Sequence, residues 1–252
     1  MKYVKNQFYE THYRSSTIPM GTMAGLGTIE KDSCSHFGKQ AEAPFRGYQM
    51  LNDVCDNLKF KTVLDIGAGA CLQSDFLRSK GKVVKTCDLG LHGAHCDSGL
   101  PYDFTGRFLD VDFEGRKYDF ILASHTLEHQ RNVGLFIDKM ISLTNDGGFI
   151  CIIVPPRKPF ITGGHMTIWN PGLLLYNLVA AGLDCSNAYI VQRDYDIFVT
   201  VKKKMFDLAD VKLTCDRGDV DLLQEYFPFE LKEPFNGDIM HYNTLFDEEC
   251  KK

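Results

Sequence analysis

Residues 61–69, Lys-Thr-Val-Leu-Asp-Ile-Gly-Ala-Gly, narrow the choice of fold more than any other part of the chain. Thr62, Val63, Leu64 and Ile66 form a short apolar, β-branched run suited to a strand buried on both faces, and Gly67-Ala68-Gly69 ends it with residues that permit a tight turn. Leu72, Phe76 and Leu77 then mark a short amphipathic helix over residues 71–80, with Gly81 as its stop. Residues 82–87 read as a second strand, closed by Asp88.

Strand, Gly-x-Gly, helix, strand and acid make a βαβ nucleotide-binding unit: small residues let a ligand approach backbone N–H groups, and the acid can hold ribose hydroxyls. Two details separate it from a nicotinamide site. Asp65 stands just ahead of the first glycine, where a carboxylate repels a pyrophosphate but suits the ammonium of a methionyl group, directly or through water. The third glycine of Gly-x-Gly-x-x-Gly is absent, since position 72 is Leu72.

Val63-Leu-Asp-Ile-Gly-Ala-Gly69 resembles the first motif of class I S-adenosylmethionine (SAM) methyltransferases, and the resemblance runs to about Lys202. It implies an α/β, three-layer Rossmann-like fold with a mostly parallel seven-stranded sheet whose last strand is antiparallel. By the same resemblance, Asp65, Gly67, Ala68 and Gly69 meet the methionyl part of SAM, Asp88 and Leu89 the ribose, and Asp110 with the backbone N–H of Val111 the adenine. Ser124 lines the cofactor at the end of the fourth strand. Asp112 is an alternative to Asp110, and Cys71 stands where many members have a further glycine.

The 252 residues, 44% of them apolar, are enough to bury a sizeable core as one structural domain. Residues 1–40 are polar and aromatic and are assigned to an N-terminal lid or arm, residues 41–204 to the SAM-binding core, and residues 205–252 to a C-terminal lid or homo-oligomer contact. A net charge of −5 opposes a large nucleic-acid footprint. Nine scattered cysteines without Cys-x-x-Cys read as reduced thiols of a cytoplasmic protein, and neither a signal peptide nor a membrane span is expected. His92, His95 and Cys96 fall close together but on a glycine-punctuated loop with no fourth ligand, and are read as ordinary loop residues.

Further along, the pattern predicts a helix over residues 43–58, a third short strand at residues 107–109, a fourth at 118–123, a helix at 131–143 and a fifth strand at 149–154. It continues with a helix at 171–181 and a strand pair over 188–201. Pro155-Pro156 follows the fifth strand rather than the fourth, unlike the proline pair of base N-methylases.

The chemistry-bearing residues are His125, Glu128 and His129, just beyond the fourth strand, and His165 beyond the fifth. A helix starting near His125 would put the first three on one face. Methyl transfer to a hydroxyl needs the acceptor aligned with the S–CH₃ axis and its proton removed. Three readings follow: a divalent metal held by His125, Glu128, His129 and His165; a metal-free histidine base, His125 or His129; or a Glu-His pair that only holds the loop. The set is similar to the acid-x-x-Glu-His plus distant His arrangement of metal-dependent small-RNA-terminal 2′-O-methyltransferases and quinone-pathway O-methyltransferases, with His125 replacing the first acid. The expected acceptor is a hydroxyl of a sugar or glycan precursor, such as a nucleotide sugar, with Trp169 as platform and Arg157 and Lys158 for phosphates. A phenolic or quinone-like metabolite is the alternative, and a non-catalytic SAM-fold binding subunit the alternative of another class.

Overall fold

The computed structural model describes residues 44–91, 99 and 101–243. All belong to one compact unit, Ala41–Lys252. The lid expected over residues 1–40 and the loop carrying His92, His95 and Cys96 lie outside the described residues.

The described chain forms α1 (Tyr48–Asn57), β1 (Thr62–Ile66), α2 (Leu72–Ser79), β2 (Val83–Asp88), β3 (Phe104–Thr105), β4 (Tyr118–Ser124), α3 (Val133–Leu143) and β5 (Thr144–Val154). It continues with α4 (Pro171–Ala180), β6 (Tyr189–Arg193), β7 (Asp196–Lys202), α5 (Asp219–Leu222) and β8 (His241–Asn243). The sheet runs β3-β2-β1-β4-β5-β7-β6-β8. β1 through β5 pair in parallel, as in Val63 against Phe120, while β7 lies antiparallel between β5 and β6.

Alternation along the central strands builds the three layers. Leu64, Ile66, Ile121, Ala123, Ile150 and Ile152 face a core shared with Phe136 and Met140 of α3 and Leu174 and Leu178 of α4. Val63, Phe120, Leu122, Cys151 and Ile153 face the other side, against Met50, Leu51 and Val54 of α1 and Leu77 of α2. A strand covered on both faces has to be apolar at nearly every position, which is why these strands read as continuous runs. Phe120, fully buried and stacked on Phe60 at 4.4 Å, is one pin of the second core. Truncating such a ring costs roughly 3–5 kcal/mol.

Several expectations are corrected. Residues 107–109 form a turn, with the Val111 N–H donating to the Arg107 carbonyl at 3.1 Å, and the third strand is the earlier pair Phe104–Thr105. The sheet has eight strands rather than seven, because His241–Asn243 adds to the edge of β6. β5 begins at Thr144, so the Asn145 to Gly148 turn lies inside the strand as a register shift opposite Tyr118 and Phe120. Cys55, Cys87, Cys151, Cys185 and Cys215 are free thiols, but Cys71 is disulfide-bonded, against the expectation of reduced thiols throughout. No helix among the described residues is long and apolar enough to cross a membrane.

Strand order reverses between β1, which leads through α2 to β2 on one side, and β4 on the other. Ligands of open α/β sheets lie outside the carboxyl ends of the strands at such a switch point.

Candidate active site

The bend after β1 occupies this point. Gly67 has φ +74°, and a Cβ there would lie 2.1 Å from Oγ1 of Thr126, beyond the end of β4, so the two segments touch only because Gly67 lacks a side chain. Gly69, at φ +49°, has no atom of the described residues within 4 Å of a Cβ position, which leaves its surface open among them. Asp88 at the tip of β2 accepts from the N–H of Gly69 at 2.9 Å and from that of Gly90 at 2.8 Å. Its carboxylate thus ties the bend to the next strand, with lone pairs left for hydroxyls. Leu89 is half exposed beside it, and Ala68 packs with Cys71 and Tyr102.

Asp65 is 2% exposed and accepts a 2.6 Å hydrogen bond from Ser74 of α2. Burial pushes its pKa up to about 6, against the lowering effect of Ser74. Ser124 Oγ accepts from Gln73 at 3.4 Å. Asp110 is not drawn to the bend: its side chain is 71% exposed and lies 3.6 Å from Arg107. The Val111 N–H, expected on an adenine nitrogen, is already engaged by Arg107, and its carbonyl accepts from Lys139 at 2.7 Å. Asp112 likewise caps its own turn, accepting from the N–H of Glu114 at 2.8 Å.

The second group lies past β4. Instead of the helix expected from His125, a single 3₁₀ turn, Leu127–His129, carries Glu128 and His129. His125 precedes it at φ +50°, a left-handed conformation, while its N–H still donates to Ile153 of β5 at 2.8 Å. Its imidazole lies between two acids: Nε2 meets Asp196 at 2.9 Å and Nδ1 meets Glu128 Oε1 at 3.4 Å. Burial lowers the His125 pKa, but the hydrogen bonds and charges of Asp196 and Glu128 outweigh it and raise it to about 9. Both His125 nitrogens are thus engaged by acids, which leaves neither facing a metal or a substrate proton in this arrangement. This departs from both roles expected of it.

Glu128, His129 and His165 do come together, each offering a ligand atom within 4.8 Å of the others. The loop after β5 brings His165 in, since the N–H groups of Met166 and Thr167 donate to the Glu128 carbonyl at 2.7 and 3.2 Å. The His129 and His165 rings meet edge to face at 5.1 Å. Glu128 is 1% exposed, its Oε1 lies 3.7 Å from His129 Nε2, and its Oε2 is buried without a hydrogen-bond partner. A buried, unsatisfied carboxylate oxygen is costly unless something completes it. Two imidazoles and that carboxylate are a donor set that fits an imidazole-tolerant divalent cation and leaves positions for oxygen ligands.

Four residues of this region were not picked out from sequence. Thr126 packs on Gly67 and donates to the Ile66 carbonyl at 3.0 Å, and the Tyr102 hydroxyl donates to the Gly69 carbonyl at 2.7 Å. Ser74 holds Asp65, and Asp196 holds His125. Only Ser74, on the helix that follows the glycine bend, carried a local signal.

Trp169 is 3% exposed within the core, and Arg157 is paired with Asp238 at 2.6 Å. The platform and one of the two phosphate-binding cations expected for a nucleotide sugar are thus otherwise employed.

A sheet that reverses at a glycine bend, with an acid at the tip of the next strand, defines a Rossmann-like domain of the class that binds an adenosine-type cofactor. The chain belongs to the methyltransferase domain family, whose model matches residues 41–178, more than half of its 252 residues. It is 25% identical over 127 residues to a ubiquinone biosynthesis O-methyltransferase of Methylobacterium nodulans, covering 48% of this chain and 47% of that one. To the protein of the same name from Agrobacterium fabrum it is 28% identical over 124 residues, covering 42% and 50%. The chain spans about half the length of the curated relatives it matches. A SAM-dependent methyltransferase from Archaeoglobus fulgidus shares the fold with a TM-score of 0.50 at 15% identity, covering 62% of this chain and 92% of that one.

Proposed function

We propose that this chain is a SAM-dependent O-methyltransferase acting on a phenolic hydroxyl of a small molecule. The observation that carries the proposal is the Glu128, His129 and His165 cluster, with its orphaned Glu128 oxygen, at the carboxyl edge of the sheet on which the Gly67 to Gly69 bend also lies. The names of the curated relatives, O-methyltransferases of quinone biosynthesis, support a phenolic acceptor over a sugar. So does the loss of Trp169 and Arg157 to structural contacts.

When bound, SAM supplies a methyl group on a sulfonium, and a divalent cation held by Glu128, His129 and His165 would lower the pKa of an acceptor hydroxyl as a Lewis acid. The chain supplies the rest. Asp88 holds the ribose hydroxyls while keeping Gly69 and Gly90 in place, and the open surface of Gly69 lets the cofactor approach the backbone. Asp65 answers the methionyl ammonium from the interior. His125, paired with Asp196 and Glu128, keeps the Glu128 carboxylate aimed at the other two ligands. In a second reading, supported by the bond from His129 Nδ1 to the Gly164 carbonyl at 2.8 Å, the remaining nitrogen Nε2 takes the hydroxyl proton without a metal.

The test is S-adenosylhomocysteine release from catechol-type phenols and from nucleotide sugars, before and after chelation, with divalent cations added back. Loss and recovery of phenol methylation is expected. Full activity of metal-free protein leaves His129 as base, and turnover of sugars alone overturns the phenolic assignment. Absence of SAM binding by calorimetry would return the chain to the class of binding subunits.

A further inference from the structure

Lys158 follows Pro156 on the loop beyond β5, with its ammonium nitrogen 4.3 Å from the centre of the Tyr195 ring and 5.4 Å from that of Phe160. Arg46, just ahead of α1, lays its guanidinium 4.9 Å from the same Tyr195 ring. Each cation is attracted by the ring. The acids flanking Tyr195 are committed elsewhere: Asp194 lies 3.8 Å from Arg193, and Asp196 is buried against His125 at 2.9 Å. Arg157 has Asp238, but no carboxylate among the described residues lies within ion-pair distance of Lys158.

Lys158 stands beside the candidate site. Tyr195 sits in the turn between β6 and β7, and its ring is within 6° of parallel to the His125 imidazole at 6.2 Å. Phe160, 57% exposed next to Lys158, offers an apolar surface for an acceptor ring.

We infer that Lys158, seated on Tyr195, anchors an anionic group of the acceptor, so that the preferred substrate is a phenol bearing a carboxylate rather than a neutral phenol. The inference rests on the O-methylation proposed above and names the substrate class of that site. An ammonium partly shielded by aromatic faces makes a stronger charge-assisted bond to a carboxylate than one in open water. A rigid benzoate holds its hydroxyl and its carboxylate at opposite ends of one ring, so anchoring one end orients the other.

The experiment compares protocatechuate with its neutral methyl ester on the full chain, as S-adenosylhomocysteine release with SAM and as calorimetric binding with S-adenosylhomocysteine present. The acid is expected to show about tenfold higher kcat/KM and tighter binding than the ester. Lys158→Gln should bring the acid down to the ester without changing the ester, Lys158→Glu should reverse the preference, and Lys158→Arg should keep it. Binding that favours the acid through Lys158 without turnover of either compound upholds the anchor while removing the O-methylation reading. Turnover of both without preference, or an equal loss of both in Lys158→Gln, overturns the anchor and leaves that reading standing. Neither binding nor turnover of either compound overturns both.

Discussion

Nδ1 of His129 stands 2.8 Å from the carbonyl oxygen of Gly164, and this contact decides what the other ring nitrogen can do. A carbonyl only accepts, so Nδ1 carries the hydrogen and Nε2 is the nitrogen that faces the acid, 3.7 Å from Glu128 Oε1. Metal-bound histidines commonly donate their second nitrogen to a carbonyl in this way. Both readings of the chemistry use the same nitrogen, so His129→Ala should lower turnover about 100-fold or more while leaving SAM affinity within about twofold. S-adenosylhomocysteine release measured beside calorimetry checks this; unchanged turnover would make the residue a loop support.

In the proposed site Asp88 serves cofactor affinity. Asp88→Ala removes the acceptor for Gly69 and Gly90 and, in the proposed site, the ribose contact as well, and is expected to weaken SAM binding at least tenfold. Calorimetric titration decides it. Affinity within twofold of wild type would separate Asp88 from the cofactor.

Gly67→Ala should destabilise the protein even without ligand. The new Cβ meets Thr126 Oγ1 at 2.1 Å and has to adopt φ +74°. A cost of about 2–4 kcal/mol follows from overpacking plus left-handed strain. Adding Thr126→Ala, which removes the nearest atoms, should restore part of the loss in a thermal melt, and a double variant no better than the single would place the damage elsewhere.

The central strands were legible because burial on both faces leaves a plain signature, and the helices because Gly81 and Gly182 stop them where their apolar period ends. Features decided by distant partners were not legible. His125 looks like the start of a helix face until Asp196, which is 71 residues away, takes its ring. Arg107 to Leu109 resembles a short strand, yet Phe108 is buried against Phe136 at 4.7 Å and the backbone turns to allow it. β8 is three residues long, and only its pairing with β6 makes it a strand. Glu128, His129 and His165 could be named because their types and edge positions suffice, whereas the exclusion of His125 from that group depends on its pairing with Asp196.

The His125 pair gives a pH dependence with a definite sign. Its folded pKa, about 9, lies above an unfolded value near 6.5. Its stabilising contribution is therefore fully present below about pH 6.5 and is lost as pH rises through about 9. Denaturant midpoints should fall across that window in wild type and fall less in Asp196→Asn, which removes one of the two acids that raise the pKa. Parallel curves for the two proteins would place the titration on another group.

Asp65 works in the opposite sense to the usual surface acid. Burial raises its folded pKa to about 6 from 3.8, so the folded state resists the charge, and the penalty grows as pH climbs from about 4 to about 6 and stays above that. At neutral pH it amounts to about 2–3 kcal/mol in the absence of a cationic partner. Asp65→Asn keeps an acceptor for Ser74 and removes the charge. The ligand-free variant should therefore melt higher than wild type near neutral pH, with the gap closing near pH 4. If the methionyl ammonium is what the carboxylate answers, the same substitution should weaken SAM binding, giving a protein that is more stable and binds less well. Melting curves at both pH values and a titration with SAM check both halves. A variant that melts lower at neutral pH would show the charge satisfied within the fold, and one that binds SAM as well as wild type would detach Asp65 from the cofactor.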